Sequence, residues 1–128
     1  MGISESDMVG TAAGLSLTGF IPFLTTFSVF ATSLANQAIR LSVAYNEANV
    51  KIAVSHGGIT VGPDGATHQA FEDISLMRNL PGMTVLVPAD ANQAYDATIA
   101  AAALHGPVFL RLCRGETAIT PGNREGFE

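Results

Sequence analysis

The residues best able to do chemistry gather between positions 55 and 69, in the stretch Ser-His-Gly-Gly-Ile-Thr-Val-Gly-Pro-Asp-Gly-Ala-Thr-His-Gln. His56 and His68 bracket Asp64 among four glycines and one proline. Imidazole takes up and releases protons near neutral pH. Glycine lets a ligand approach the backbone closely, and Pro63 fixes one φ among the glycines. A single histidine in such a loop could equally cap or pack. Two around an aspartate mark the loop as the candidate site.

Such a loop needs rigid elements on either side. Residues 50–55 form an apolar run broken only by Lys51, the pattern of a central parallel strand. In an open α/β sheet the chemistry sits in the crevice beyond the carboxyl ends of such strands. Upstream, a helix is predicted over 7–17, with Ser4 or Ser6 as its cap and Glu5 and Asp7 at the positive end of its dipole. Gly10 and Gly14 share one face of it, and each costs ~1 kcal/mol relative to alanine inside a helix. Close approach of another backbone, within the domain or across a subunit boundary, would offset that cost.

Gly19 ends this helix, and 20–25 reads as a strand with Pro22 near its start. Residues 26–45 carry Phe27, Phe30, Leu34, Ile39 and Leu41 among small residues, as a buried or interface-facing helix would. After the loop, 68–79 reads as a helix with Phe71, Ile74, Leu76 and Met77 on its apolar side, stopped by Leu80-Pro81-Gly82. A strand follows at 83–87, then an alanine-rich helix capped by Asp90 and running to about 104. The strand at 108–113 delivers Arg114 at its end. Alternation of strand and helix predicts an α/β fold with a mainly parallel sheet and helices on both faces.

The chain of 128 residues is one domain's worth, with 6 Lys plus Arg against 11 Asp plus Glu and a formal charge of -5. That balance gives no electrostatic footprint for nucleic acid or an anionic membrane. An anionic small substrate would have to be met by a few placed arginines. Charged residues are only 13% and hydrophobic ones 48%, so part of the apolar surface is expected to face a partner. No apolar run reaches the ~18 residues of a membrane span, and no signal-peptide pattern opens the chain. The single Cys113 fits a reducing compartment, and a cytoplasmic location is expected.

Taken together, Gly2-Ile3-Ser4-Glu5 with Asp7-Met8, Phe27 and Phe30, Ser55-His56-Gly57, Gly62, Asp64-Gly65, Thr67-His68-Gln69, Met77-Arg78, Pro81 and Arg114 resemble the pyrimidine-binding domain of transketolase. The resemblance covers nearly the whole chain and is closest to split transketolases, in which this domain begins the shorter of two polypeptides. The opening glutamate motif is shared by several thiamine diphosphate enzymes, whereas the Ser-His-Gly and Thr-His-Gln ends of the loop are more specific. Deoxyxylulose-phosphate synthase shares the second end but typically has arginine where His56 stands. It is the enzymatic alternative, and a non-catalytic assembly module of the same fold is the other.

The resemblance implies roles residue by residue. Glu5 would share a proton with the aminopyrimidine nitrogen of thiamine diphosphate. Phe27 and Phe30 would pack on the pyrimidine ring, although at a spacing of three they could equally be core. Ser33 stands where some family members carry an aromatic residue. His56 and His68 would contact donor substrate and cofactor and move protons, with Asp64 on a sugar hydroxyl and Arg114 on the sugar phosphate. An ion pair with Glu116 is the other reading of Arg114.

Nothing in the chain resembles the Gly-Asp-Gly motif that holds Mg²⁺ and the diphosphate in this family. The resemblance therefore implies a separate diphosphate-binding domain or subunit, a homodimer or heterotetramer, and an isolated chain that is inactive. It also implies a domain over 1–114 that lacks its first strand, with 115–128 as a linker or tail.

Overall fold

The computed structural model describes residues 1–120. Strand β1 (Phe23–Leu24) pairs with β2 (Lys51–Val54), which stands in the interior of a four-stranded sheet. Beyond β2 lies β4 (Val108–Arg111), and β3 (Thr84–Leu86) forms the other edge, giving the order β1-β2-β4-β3 with every pairing parallel. The register aligns Leu24, Ile52, Phe109 and Val85 in one row across the sheet. Helices α1 (Glu5–Ser16), α2 (residues 30–44) and α3 (Asp73–Arg78) supply residues to the core on that face. The opposite face carries α4 (Ala91–Ala103), whose Ala97 and Ala101 are buried. The expected α/β architecture with helices on both faces is what forms.

The buried stripe of α2 is Ala31, Ala35, Ile39 and Val43, spaced by four throughout. A spacing of four outruns the 3.6 residues of an α-turn, so a straight α-helix would carry the stripe off the core. The helix meets this with π-turns at Phe30–Leu34 and Ile39–Ala44, in which Ala35 N–H donates to the Phe30 carbonyl and Tyr45 N–H to that of Arg40. Leu34 and Leu41 lie off this stripe and are exposed, contrary to the expected apolar face.

Three expected elements are corrected by local chemistry. The strand at 20–25 shrinks to two residues, since Pro22 has no N–H and offers only its carbonyl, to Lys51 N–H at 2.9 Å. The helix at 68–79 begins only at Asp73, because Ala70 exchanges backbone hydrogen bonds with Gly58 and leaves Phe71 exposed. Helix α1 begins at Glu5, and Ser4 occupies the cap position through its carbonyl alone, with no side-chain capping bond. Gly10 and Gly14 are exposed, and nothing lies within 4 Å of where a Cβ would sit at either. No close approach within the described chain accounts for them.

Asp90 caps α4 as expected, accepting Gln93 N–H at 3.0 Å, and its other oxygen accepts Thr120 N–H at 3.0 Å. Those two amides, Gln93 foremost, hold its carboxyl below the usual range. A carboxyl with a lowered native pKa stabilises the fold above its unfolded pKa and loses that contribution as pH falls through the native value. Asp90→Asn is therefore expected to lower the melting temperature at neutral pH and to flatten its fall below about pH 4, read by acid titration of thermal melts.

The lone break in the β2 run has a structural answer. Lys51 is fully buried and its Nζ donates to Asn49 Oδ1, the Leu104 carbonyl and the Gly106 carbonyl, each at 2.7 Å. One ammonium thus pins the turn between α4 and β4 to the start of β2. Among the described residues no helix is long and apolar enough to cross a membrane.

Candidate active site

The β1–β2 register continues past both strands and builds the site. Three residues beyond the Leu24–Ile52 pair, Phe27 stands opposite Ser55 in a parallel bridge. Ser55 N–H donates to the Thr26 carbonyl at 3.1 Å and Ser28 N–H to the Ser55 carbonyl at 2.8 Å. Phe27 is thereby fixed beside His56.

The rings gather accordingly. His56 stacks on Phe27 with centroids 3.7 Å apart and planes at 16°. Phe27 and Phe30 are parallel within 2° at 5.7 Å, and His68 meets Phe30 edge-on at 5.4 Å and Phe27 at 6.1 Å. The Phe27–Phe30 and His68 separations fall within the usual range of aromatic pairs, and the His56–Phe27 stack is closer than that range. Phe30 is only partly buried, so its ring is available to a ligand as well as to its neighbours. Glu5, partly buried at the first turn of α1, accepts a hydrogen bond from Thr26 Oγ1 at 3.4 Å, next to Phe27.

His56 has φ = 60°. A residue with a side chain held in this region costs of order 1–3 kcal/mol, and such strain persists only where surroundings impose it. Here Ser55 Oγ meets His56 Nδ1 at 2.8 Å, and Gly57 N–H donates to the Leu112 carbonyl at 3.0 Å. His68 ends a short 3₁₀ turn, Ala66–His68, with Thr67 Oγ1 at 2.8 Å from its Nδ1. Gln69 Nε2 donates to the Ile59 carbonyl at 3.0 Å and ties the two ends of the loop together.

Asp64 and Arg114 form a second group. Arg114 Nη1 donates to Asp64 Oδ2 at 2.7 Å and to the Val61 carbonyl at 2.6 Å. The arginine's partner is therefore Asp64, fifty positions away, and not Glu116. Both side chains remain more than a third exposed. At that exposure the pair contributes at most about 1 kcal/mol, and a ligand can compete for either group.

Three contributors escaped sequence reasoning. Ser28, Asp73 and Arg111 form a hydrogen-bonded chain behind the loop, the first two buried and the arginine partly so. The available signal was a charge, Arg111, within an apolar strand.

The arrangement offers flat aromatic walls, a carboxyl beside them and two imidazoles. That set fits an aromatic heterocycle with a protonatable ring nitrogen, beside a substrate whose hydroxyl protons move. Among the described residues no cluster of three or more histidine, cysteine or acidic side chains could hold a metal.

The family model described as transketolase, pyrimidine binding domain, matches residues 1–119. A putative transketolase C-terminal section of Methanocaldococcus jannaschii is 46% identical over 97% of this chain and 39% of its own length. The 6-deoxy-6-sulfo-D-fructose transketolase subunit of a Clostridium strain is 46% identical over 89% of this chain and 35% of its own. A solved split gene transketolase, an inactive beta4 tetramer, superposes with a TM-score of 0.89 and 48% identity over 100% of this chain and 40% of that one. The chain thus spans well under half the length of each relative.

Proposed function

The chain belongs to the transketolase pyrimidine-binding domain family, and from that premise we propose that it forms the pyrimidine half of a ketol-transfer site. Joined to a diphosphate-binding domain or subunit, it moves a two-carbon ketol unit from a ketose phosphate to an aldose phosphate. The observation that carries the reading is the ring cluster of Phe27, Phe30, His56 and His68 with Glu5 beside it through Thr26. Family membership implies thiamine diphosphate, which supplies the carbon nucleophile that a sugar lacks.

This chain's residues have complementary duties. Glu5 holds a proton at the aminopyrimidine ring nitrogen. Phe27 and Phe30 bind the ring and exclude water from it. His56 and His68 take and return protons at the sugar's hydroxyl oxygens, for which imidazole is suited near neutral pH. Asp64 accepts from a sugar hydroxyl, and an analogue lacking that hydroxyl would leave a carboxylate unpaired. Arg114 holds the anionic end of the substrate with the guanidinium donors that Asp64 and Val61 do not use. A relative named for a sulfonated sugar carries a different tetrahedral anion in its substrate. The phosphate reading therefore needs a direct comparison.

The diphosphate and its Mg²⁺ fall to the partner, as do the remaining walls of the site, in a homodimer or heterotetramer of assembled subunits. The domain covers 1–114, with 115–128 as a connection; positions 121–128 lie outside the described residues. The chain alone is inactive, a reading supported by the description of the solved β tetramer.

The test is ketol transfer from xylulose 5-phosphate to ribose 5-phosphate with thiamine diphosphate and Mg²⁺, for the chain alone and in complex with a diphosphate-binding subunit. The expected result is turnover only in the complex, reduced at least tenfold by His68→Ala. Silence in a demonstrated complex, with phosphate and sulfonate donors alike, overturns the proposal.

A further inference from the structure

Asp73 is buried and lies at the start of α3, far in sequence from the two side chains it binds. Its Oδ2 accepts Ser28 Oγ at 2.7 Å and Arg111 Nε at 2.8 Å, while Oδ1 accepts the backbone N–H of Ile74 at 2.9 Å. Ser28, fully buried, follows Phe27 directly and donates its N–H to the carbonyl of Ser55, which precedes His56. Arg111 ends β4 and lies against Gly57 and Gly58, which follow His56.

The fit against the glycines is close. A Cβ at Gly57 would sit 2.5 Å from Arg111 Nε and 2.8 Å from its Cζ, and one at Gly58 would sit 2.9 Å from a terminal nitrogen. Nε cannot swing away cheaply, because Asp73 holds it and a buried charge left without its partner is strongly unfavourable. The guanidinium is thus a planar floor under the backbone that carries His56, and the two glycines are the residues thin enough to lie on it.

We propose that Ser28, Asp73 and Arg111 are positioning residues for His56 in ketol transfer, a role that rests on the function proposed above. Ser28 fixes the Phe27 side of the stacked pair, Arg111 fixes the His56 side, and Asp73 joins them through one carboxylate oxygen. The network holds His56 at its left-handed φ of 60° and its ring 3.7 Å from that of Phe27. None of the three needs to touch substrate. A supporting shell of this kind decides whether a reacting group stays within the few tenths of an ångström that proton transfer requires.

The test is made in the assembled complex. Arg111→Met is expected to lower kcat/KM at least tenfold in the wild-type background but less than twofold in a His56→Ala background, because a residue acting through His56 has nothing left to position. Arg111→Lys, which keeps the charge but not the plane, is expected to fall between and serves should the methionine variant fail to fold. Selective ¹³C labelling of histidine supplies a readout independent of turnover. The ring current of Phe27 shifts the His56 ring-proton signal upfield, and Arg111→Met or Arg111→Lys is expected to release it.

Equal losses in the two backgrounds, or a His56 signal that stays in place, overturn the inference. A wild-type complex that binds partner and cofactor but transfers no ketol unit refutes the proposed function instead. The labelling result then still decides whether the network positions His56.

Discussion

Glu5→Gln in the assembled enzyme is expected to lower ketol transfer about 10³-fold while leaving assembly intact, a loss of ~4 kcal/mol of transition-state stabilisation. Glutamine preserves the shape of the side chain and the oxygen that accepts from Thr26 Oγ1. It cannot share a proton with a ring nitrogen. The partly buried position at the first turn of α1 makes the substitution mild for the fold, since the helix dipole's preference for an anion there is worth no more than about 1 kcal/mol. Sedimentation or size-exclusion analysis of the complex beside steady-state kinetics separates the two effects. Full turnover by Glu5→Gln would favour a domain that keeps this fold for assembly alone.

Lys51→Met is expected to destabilise the domain by roughly 2–4 kcal/mol, the penalty for stranding the carbonyls of Leu104 and Gly106 without a donor. Asn49 Oδ1 keeps a partner, since it also accepts Gly106 N–H at 3.2 Å. Burial lowers the pKa of the ammonium from its ordinary value. A base with a lowered native pKa binds its proton less well folded than unfolded, so stability rises with pH from the native value up to about 10.5. Wild type should show that alkaline rise in urea-unfolding midpoints at matched protein concentration, and Lys51→Met should lack it. A variant as stable as wild type at pH 7 would show that the three hydrogen bonds do no more than balance the cost of burying the charge.

Lys51 also shows where residue patterns stop being informative. Its position within an apolar run was visible, and the run itself placed β2 in the sheet interior. Its three acceptors lie at positions 49, 104 and 106 and meet only after the parallel crossover is complete. The same limit applies at the site. The histidines and glycines of 55–69 stood out by type, and Phe27 and Phe30 by their spacing. Local pattern could not show that Phe27 stacks on His56, because that contact depends on a register set three residues earlier by Leu24 and Ile52.

Arg111 and Asp73 were hidden for a related reason. Asp73 sits in a short helix and Arg111 at the end of an apolar strand, and their bond, which the strand's charge alone hinted at, spans 38 positions. The helix boundaries failed where long-range pairing overrode propensity, most plainly at Ala70, which Gly58 draws into a bridge. The spacing of four in Ala31, Ala35, Ile39 and Val43 was legible all along. An interval of four exceeds 3.6 and by itself indicates slower winding than an α-helix.

The parallel sheet has an evolutionary consequence. With all strands pointing one way, the Lys51 clamp lies at their beginnings and the histidine loop beyond their ends. Foundation and workshop occupy opposite sides of the building, so the second can be refurnished without disturbing the first. Drift toward new ligands, or a laboratory library at the exposed Ile59, Thr60, Pro63 and Ala66, has room to explore, while buried Val61, Asp64 with its Arg114 bond and the glycines of the loop stay fixed.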